Sequence, residues 1–191
     1  MLMRWLHIYI SMLGLGALLF FSLTGLTLNH PDWMFGGVRK TQQAKGQLNT
    51  NWLAAGADEK AVDKLAVVEE LRRSHGLRGL VDDFRVEDAE CSIVFKGPGS
   101  SADVVIDRRT GSYRVTTASE GLVAVMNDLH KGRHTGSAWS VVIDMSAVVL
   151  SLVAVSGIWL LLYVKRRRAS GLWMGLAGVL LLGILYFVGV R

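Results

Sequence analysis

The sequence predicts a membrane protein of three transmembrane α-helices, with a small α+β domain inserted between the first and second on the extracytoplasmic side. Of 191 residues, 51% are hydrophobic, and they are bunched into long runs rather than spread, as in a chain embedded in a bilayer. The basic stretch KRRR at residues 165–168 separates two of those runs and sets their direction. Between the first and second runs the apolar residues switch to helical and then to alternating spacing, the signature of a folded domain.

Each run meets the length of about 20 residues that a helix needs to cross a hydrocarbon core. Residues 5–28 contain one ionisable side chain, His7; residues 141–164 contain one acid, Asp144; residues 172–190 contain no charge. The first run is longer than the roughly 7–15 apolar residues of a signal peptide, and it ends in NHPDW rather than in small residues, so it is expected to stay as an anchor. The expected division is residues 1–30, first span; 31–138, extracytoplasmic domain; 139–164, second span; 165–171, basic cytoplasmic loop; and 172–190, third span. The basic loop places the N-terminus with Arg4 in the cytoplasm and residues 31–138 outside. The net charge of +5 includes this topology signal, the remaining basic residues alternate with acids, and nucleic acid is not an expected partner.

In the insert, DEKAVDKLAVVEELRRSHG repeats Val62, Leu65, Ala66, Val68 and Leu71 at helical spacing and stops at Gly76, which predicts one amphipathic helix. His75 in its last turn reads as a cation at the negative end of the helix dipole. DFRVEDAE, CSIVFKGPGS and ADVVIDRRTGSYRVTT read as an antiparallel meander broken at GPGS and RRTG. Cys91, the one cysteine, has no partner for an internal disulfide and reads as a strand packing residue. A second helix, SEGLVAVMNDLHKG, returns to the membrane.

The order of parts and the residues at their joints resemble the PepSY-associated transmembrane proteins. The likeness rests on LHIYISMLGLG and SLTGLTLNHPDW around the first span, the VVIDRRTGSYR hairpin, and the return segment LHKGRHTG leading into DMSAVVLSLVAVSGIWLLL. It implies a PepSY-like domain between spans one and two, and a place in a bacterial cytoplasmic (inner) membrane with the domain in the periplasm. It further implies b-type haem held by histidines at helix ends and, from larger relatives, reduction of iron in siderophores. Three spans instead of four or more leave fewer helices to supply ligands.

The histidines can also be read from their positions. At 3.6 residues per turn His7, Ser11, Gly14, Ser22, Gly25 and Asn29 share one face of span one, and His130, His134, Ser137, Ser140, Asp144, Ala147 and Ser151 step along one face of span two. The two stripes are expected to face each other. Small residues let helices pack closely in lipid, but an imidazole near the membrane costs free energy without helping packing and marks an ion, proton or cofactor path. His130 and His134, spaced i,i+4, would project from one helix face and share a metal ion with Asp32 or Asp128, although no Glu stands between them. Haem iron asks instead for two axial ligands from different helices, and His30 against His134, or against His130, meets that demand. His134 is preferred as the ligand nearer the bilayer. His7 lies 23 residues from His30, about 34 Å along a helix, so a second haem there would need Met174, another copy or another protein as its opposite ligand. Asp144, Ser140 and Asn29 are candidates to orient the imidazoles or carry protons, and the tryptophans near the span ends, Trp5, Trp33, Trp139, Trp159 and Trp173, read as interfacial anchors.

Two functions are carried forward. One is an inner-membrane haem b protein, a candidate ferric or ferrisiderophore reductase, passing electrons to a periplasmic acceptor, alone, as a homo-oligomer or with a membrane redox partner. The other is a non-catalytic module whose domain binds a periplasmic partner and whose histidines hold a structural or sensed metal ion. A reporter active only in the periplasm is expected to be active when fused after Gly97 and silent when fused after Arg168; the opposite pattern would invert the orientation.

Overall fold

The computed structural model describes residues 2–30, 39–54 and 61–190. In chain order its elements are α1 (Leu2–Asn29), β1 (Arg39–Gln47), a 3-10 turn (Thr50–Trp52), α2 (Lys64–His75), β2 (Leu80–Val86), β3 (Glu90–Gly97), β4 (Ser100–Asp107), β5 (Ser112–Glu120), α3 (Leu122–Lys131), α4 (Gly136–Tyr163) and α5 (Arg168–Gly189). The chain divides into two compact units, residues 1–19 with 144–191, and residues 20–143.

Three helices, α1 and α4 of 28 residues and α5 of 22, are long and apolar enough to cross a membrane. At 1.5 Å per residue α1 and α4 exceed a hydrocarbon core of about 30 Å, so their ends reach into polar surroundings. In the first unit α1 and α4 approach closely at Gly14, where an added Cβ would come 3.0 Å from Val149 Cγ1. The sheltered positions in the body of α4 are Ile143, Ser146, Val149, Leu150, Val153, Ser156, Gly157 and Leu160. The stripe expected to face α1 is turned the other way: Ser137, Ser140, Asp144, Ala147 and Ser151 are all exposed. The physical reason is fit, because the Gly14 notch receives a branched Val149 and Ser156 supplies the hydroxyl that His7 requires. On α1, Ser22 and Asn29 are likewise exposed while Thr24 is buried. Trp33 and Asp32 lie outside the described residues.

In the second unit the strands form one antiparallel sheet in the order β1-β5-β4-β3-β2. The inward alternation of β3 to β5 puts Cys91, Ile93, Phe95, Ala102, Val104, Ile106, Tyr113 and Val115 into a core with Val67, Val68 and Leu71 of α2. Cys91 is a packing residue, fully buried. The helix starts where the Asp63 side chain accepts the Ala66 N–H at 3.0 Å and ends where Gly76 turns left-handed at φ 61°. Its core face differs from the expected one at Leu65, which is 71% exposed; with Asp63 as cap, Val62 and Val67 take the two positions of a hydrophobic staple and Leu65 points away.

The meander read from the sequence is β2 to β5. The strand β1, RKTQQAKGQ, carries almost no apolar residues and was not legible, yet it pairs with β5 from Arg39↔Glu120 to Gln47↔Ser112. Polar, lysine-bearing strands are what a sheet edge tolerates. Gly46 is required there: opposite Tyr113, a Cβ would lie 2.3 Å from the phenol oxygen.

Arg108, read only as part of a turn, is 2% exposed. Its Nε donates to the Leu53 carbonyl at 3.1 Å, Nη1 to Glu87 at 2.8 Å and Nη2 to Ala54 at 2.8 Å. One guanidinium thus ties the segment before α2 to the β2–β3 turn. Replacing it by Leu strips the buried Leu53 carbonyl of a donor and two part-buried carbonyls of theirs, at about 1–3 kcal/mol for the buried one; Arg108→Leu is expected to lower stability by about 2 kcal/mol, measured by denaturant unfolding of the full chain in detergent.

Candidate cofactor-binding site

The end of α1, α3 and the start of α4 converge within the second unit, and the last turn of α3 holds them together. Thr27 Oγ1 donates to Asn127 Oδ1 at 2.7 Å, Asp128 Oδ2 accepts the Gly99 N–H at 2.9 Å from the β3–β4 turn, and Trp139 Nε1 donates to the Leu129 carbonyl at 2.8 Å. Trp139, expected as an interfacial anchor, therefore also gives a second donor to the Leu129 carbonyl, which the Gly132 N–H meets at 3.2 Å.

His130 completes the series. Its Nδ1 lies 2.6 Å from Thr24 Oγ1, and the same oxygen donates to the Phe20 carbonyl at 2.6 Å, the i−4 position of α1. A hydroxyl has one proton to give. With that proton on the Phe20 carbonyl, Thr24 accepts from His130, so the neutral ring carries its hydrogen on Nδ1 and a bare lone pair on Nε2. The Phe21 ring stands edge-on at 5.2 Å between centroids, Phe20 meets Trp139 edge-on at 6.1 Å, and Gly25 keeps its Cβ space clear beside His130 Cε1.

The first unit repeats the arrangement. His7 Nδ1 lies 2.7 Å from Ser156 Oγ, which donates to the Val153 carbonyl at 3.0 Å, and Gly157 is the residue beside His7 Cε1. Ser156, which the sequence reading did not single out, is 6% exposed. Here too the hydroxyl's proton goes to a carbonyl of its own helix, which leaves Ser156 Oγ to accept from a neutral ring at Nδ1. One turn along α1 the Ser11 hydroxyl oxygen is buried without a hydrogen-bond partner.

His134 does not share a helix face with His130. Gly132 adopts φ 67° and closes α3, its N–H turned back to Asp128 and Leu129, and His134 follows at φ 56° in the turn before α4. The left-handed glycine breaks the i,i+4 geometry assumed for the pair. His134 instead adds to the field at Asp82 on β2, whose carboxyl is held below the usual range first by a hydrogen bond from Lys96 and further by the charges of Lys96 and His134, against some desolvation. That pair's stabilisation is present above the usual carboxylate range and is lost as pH falls through the lowered value. His30 ends α1, its N–H on the Leu26 carbonyl and its Nε2 3.4 Å from Asn29 Nδ2. Ser140 and Asp144 stand on the exposed face of α4, and Asn29 is exposed. His75 closes α2 as expected and also meets the Tyr113 hydroxyl at 2.8 Å; burial pushes the Tyr113 phenol up. Among the described residues no three His, Cys, Asp or Glu gather as a metal ion would need.

Three membrane-length helices, a small antiparallel sheet between the first and second, and imidazoles prepared at both ends of α1 define a membrane protein with a folded domain and histidine-bearing helix ends. The chain belongs to the PepSY_TM-like family, whose model matches residues 1–191. No curated protein and no solved structure matches it.

The His130 tautomer is directly observable. In the wild-type protein the neutral ring's ¹⁵N resonances are expected to show protonated Nδ1 and bare Nε2, and Thr24→Val is expected to lose that preference and about 1 kcal/mol of stability by leaving a part-buried N–H without an acceptor. An Nε2-protonated ring in the wild type would overturn the assignment.

Proposed function

We propose that this protein is a b-type haem protein of the bacterial cytoplasmic membrane that passes electrons to a periplasmic acceptor, with ferric iron held by a siderophore as the acceptor class. The observation that carries the reading is the arrangement at His130. A metal-ligating histidine characteristically donates its second ring N–H to a fixed acceptor, which sets the tautomer and raises the basicity of the ligating nitrogen, and Thr24 is that acceptor. The surroundings fit the group. Phe20, Phe21 and Trp139 offer aromatic walls, and Gly25 brings the α1 backbone beside the imidazole, where an added Cβ would come 3.5 Å from His130 Cε1.

In this reading His130 and His30, at the end of α1, are the residues that would hold the haem iron. His134, outside the helix and within the field of Asp82, lies at the side of the sheet domain and helps shape the approach of the acceptor. Haem, when bound, supplies a one-electron couple whose potential depends on its axial ligands and on the burial around them. The chain's own part is to hold the ligating rings, through Thr24 and the α3 turn, and to exclude water with the aromatic side chains. His7, held by Ser156 in the same manner, would take a second haem together with a ligand from another polypeptide. The KRRR loop supports an orientation with the PepSY-like domain in the periplasm.

Detergent-purified protein is expected to be red, with a Soret band that sharpens on dithionite reduction. His130→Ala and His30→Ala should each abolish one low-spin haem signal, His134→Ala should leave it, and His7→Ala should act independently of all three. A colourless protein carrying stoichiometric zinc or copper would overturn the reading.

A further inference from the structure

Where α2 stops at Gly76, a concavity of about 320 Å³ opens between the α2–β2 connection and the ends of β1, β4 and β5. Its floor carries hydroxyls: Ser100 of β4 is paired across to Ser119 of β5, and Ser119 to Lys40 of β1. Lys40 and Arg78 line it from opposite sides, and among the described residues no aspartate or glutamate does. Elsewhere the domain pairs its cations, Arg72 with Glu69, Arg73 with Glu70, Arg85 with Asp83 and Lys96 with Asp82. The side chains of Lys40 and Arg78 make no ion pair or hydrogen bond among the described residues.

The opposite face of the sheet gives the contrast. Lys45 and Arg114 stand directly across from each other there, also without an ion pair, but their concavity contains Glu90 and Asp107, so the charge is balanced within it. Nothing balances Lys40 and Arg78. The segment that carries Arg78 is also fixed in place. Gly79 adopts φ 101° against β3, where a Cβ would come 2.4 Å from the Lys96 carbonyl oxygen, and its own carbonyl accepts from Arg72 Nη2 at 2.9 Å. Such preorganisation lowers the cost of binding. The carbonyl end of α2 is met by Arg72 and Arg73 of its own last turn, which leaves Lys40 and Arg78 to act on whatever enters.

This end of the sheet is the one tied to the membrane helices of residues 20–143. Gly99, between β3 and β4, donates to Asp128 of α3 at 2.9 Å and accepts from the Glu120 N–H at 2.8 Å, and Thr27 bonds the end of α1 to α3. Lipid headgroups lie just beyond the hydrocarbon core that such a helix end leaves. We propose that the concavity binds a phosphate group, whose charge Lys40 and Arg78 neutralise from two elements while the hydroxyls of Ser100 and Ser119 donate to its oxygens. Arginine, lysine and hydroxyl donors around an anion rich in acceptor oxygens are the chemistry that recognises phosphate. An anionic lipid at the membrane surface and a soluble phosphate compound present the same group. The site is separate from His130 and Thr24 and does not rest on the haem reading.

The test compares the full chain with three variants. Lys40→Gln with Arg78→Gln removes both charges of the concavity, Lys45→Gln with Arg114→Gln removes the same charge from the opposite face, and Ser119→Leu fills the floor without changing charge. All five side chains are exposed, and far-UV circular dichroism is expected to be unchanged. Titration with inorganic phosphate in an uncharged detergent, followed by calorimetry, reads a soluble ligand. In bilayer discs of equal parts phosphatidylcholine and phosphatidylglycerol, native mass spectrometry counts the phosphatidylglycerol that the chain retains. In at least one setting the Lys40/Arg78 variant and Ser119→Leu are expected to bind about tenfold more weakly than the wild type, with the Lys45/Arg114 variant unchanged. Such binding in detergent alone assigns the ligand to solution, in discs alone to a lipid headgroup, and in both to the phosphate group whichever molecule bears it. Absence of binding in both settings, or equal loss in the two charge variants, would overturn the proposal.

Discussion

The last turn of α3 is the joint on which residues 20–143 depend. Asn127, Asp128, Leu129 and His130 each hold a different partner: Thr27 and Thr24 on α1, the β3–β4 turn at Gly99, and Trp139 on α4. Each hydrogen bond is worth about 1 kcal/mol net, but a buried group that loses its partner costs about 1–3 kcal/mol. The joint is therefore more sensitive to losing one member than the sum of its bonds suggests. It also explains why α3 is short. Gly132 ends it by turning left-handed, so that the chain can bend into α4 directly after the residues that bind have been placed.

The same constraint appears in a second form at His7 and His130. A part-buried ring nitrogen packed against a helix needs a hydrogen-bond partner. Ser156 and Thr24 meet the need with a hydroxyl whose own proton returns to a carbonyl of its helix. This relay does two things at once. It satisfies the donor, and it fixes which nitrogen is left to act, a chemical outcome decided by one hydroxyl. The sheet domain solves its own version of the problem with Arg108, whose fork satisfies carbonyls of two separate segments that no strand partner reaches.

The spans, the amphipathic helix, the four-strand meander and the histidines at the helix ends were legible in the sequence, because each follows from local periodicity or from the cost of a polar group in lipid. The strand β1 was not, since an edge strand is selected for polar residues that resemble a loop. Thr24 and Ser156 were not, since a hydroxyl in a membrane helix reads as a packing residue until its imidazole is seen beside it. On α1 His7, Ser11, Gly14 and Gly25 of the expected stripe are sheltered, while Ser22 and Asn29 are exposed and Thr24 is buried in their place.

The sequence by itself determined that this is a membrane protein with three spans and a folded domain between the first two, because burial in lipid and in a sheet each impose a period that residues must obey. Only the tertiary structure decided which face of α4 meets α1, that Gly132 parts His130 from His134, and which ring nitrogen each paired histidine keeps bare. Those outcomes depend on shape and on single hydrogen bonds between residues far apart in the chain, and no local pattern encodes them.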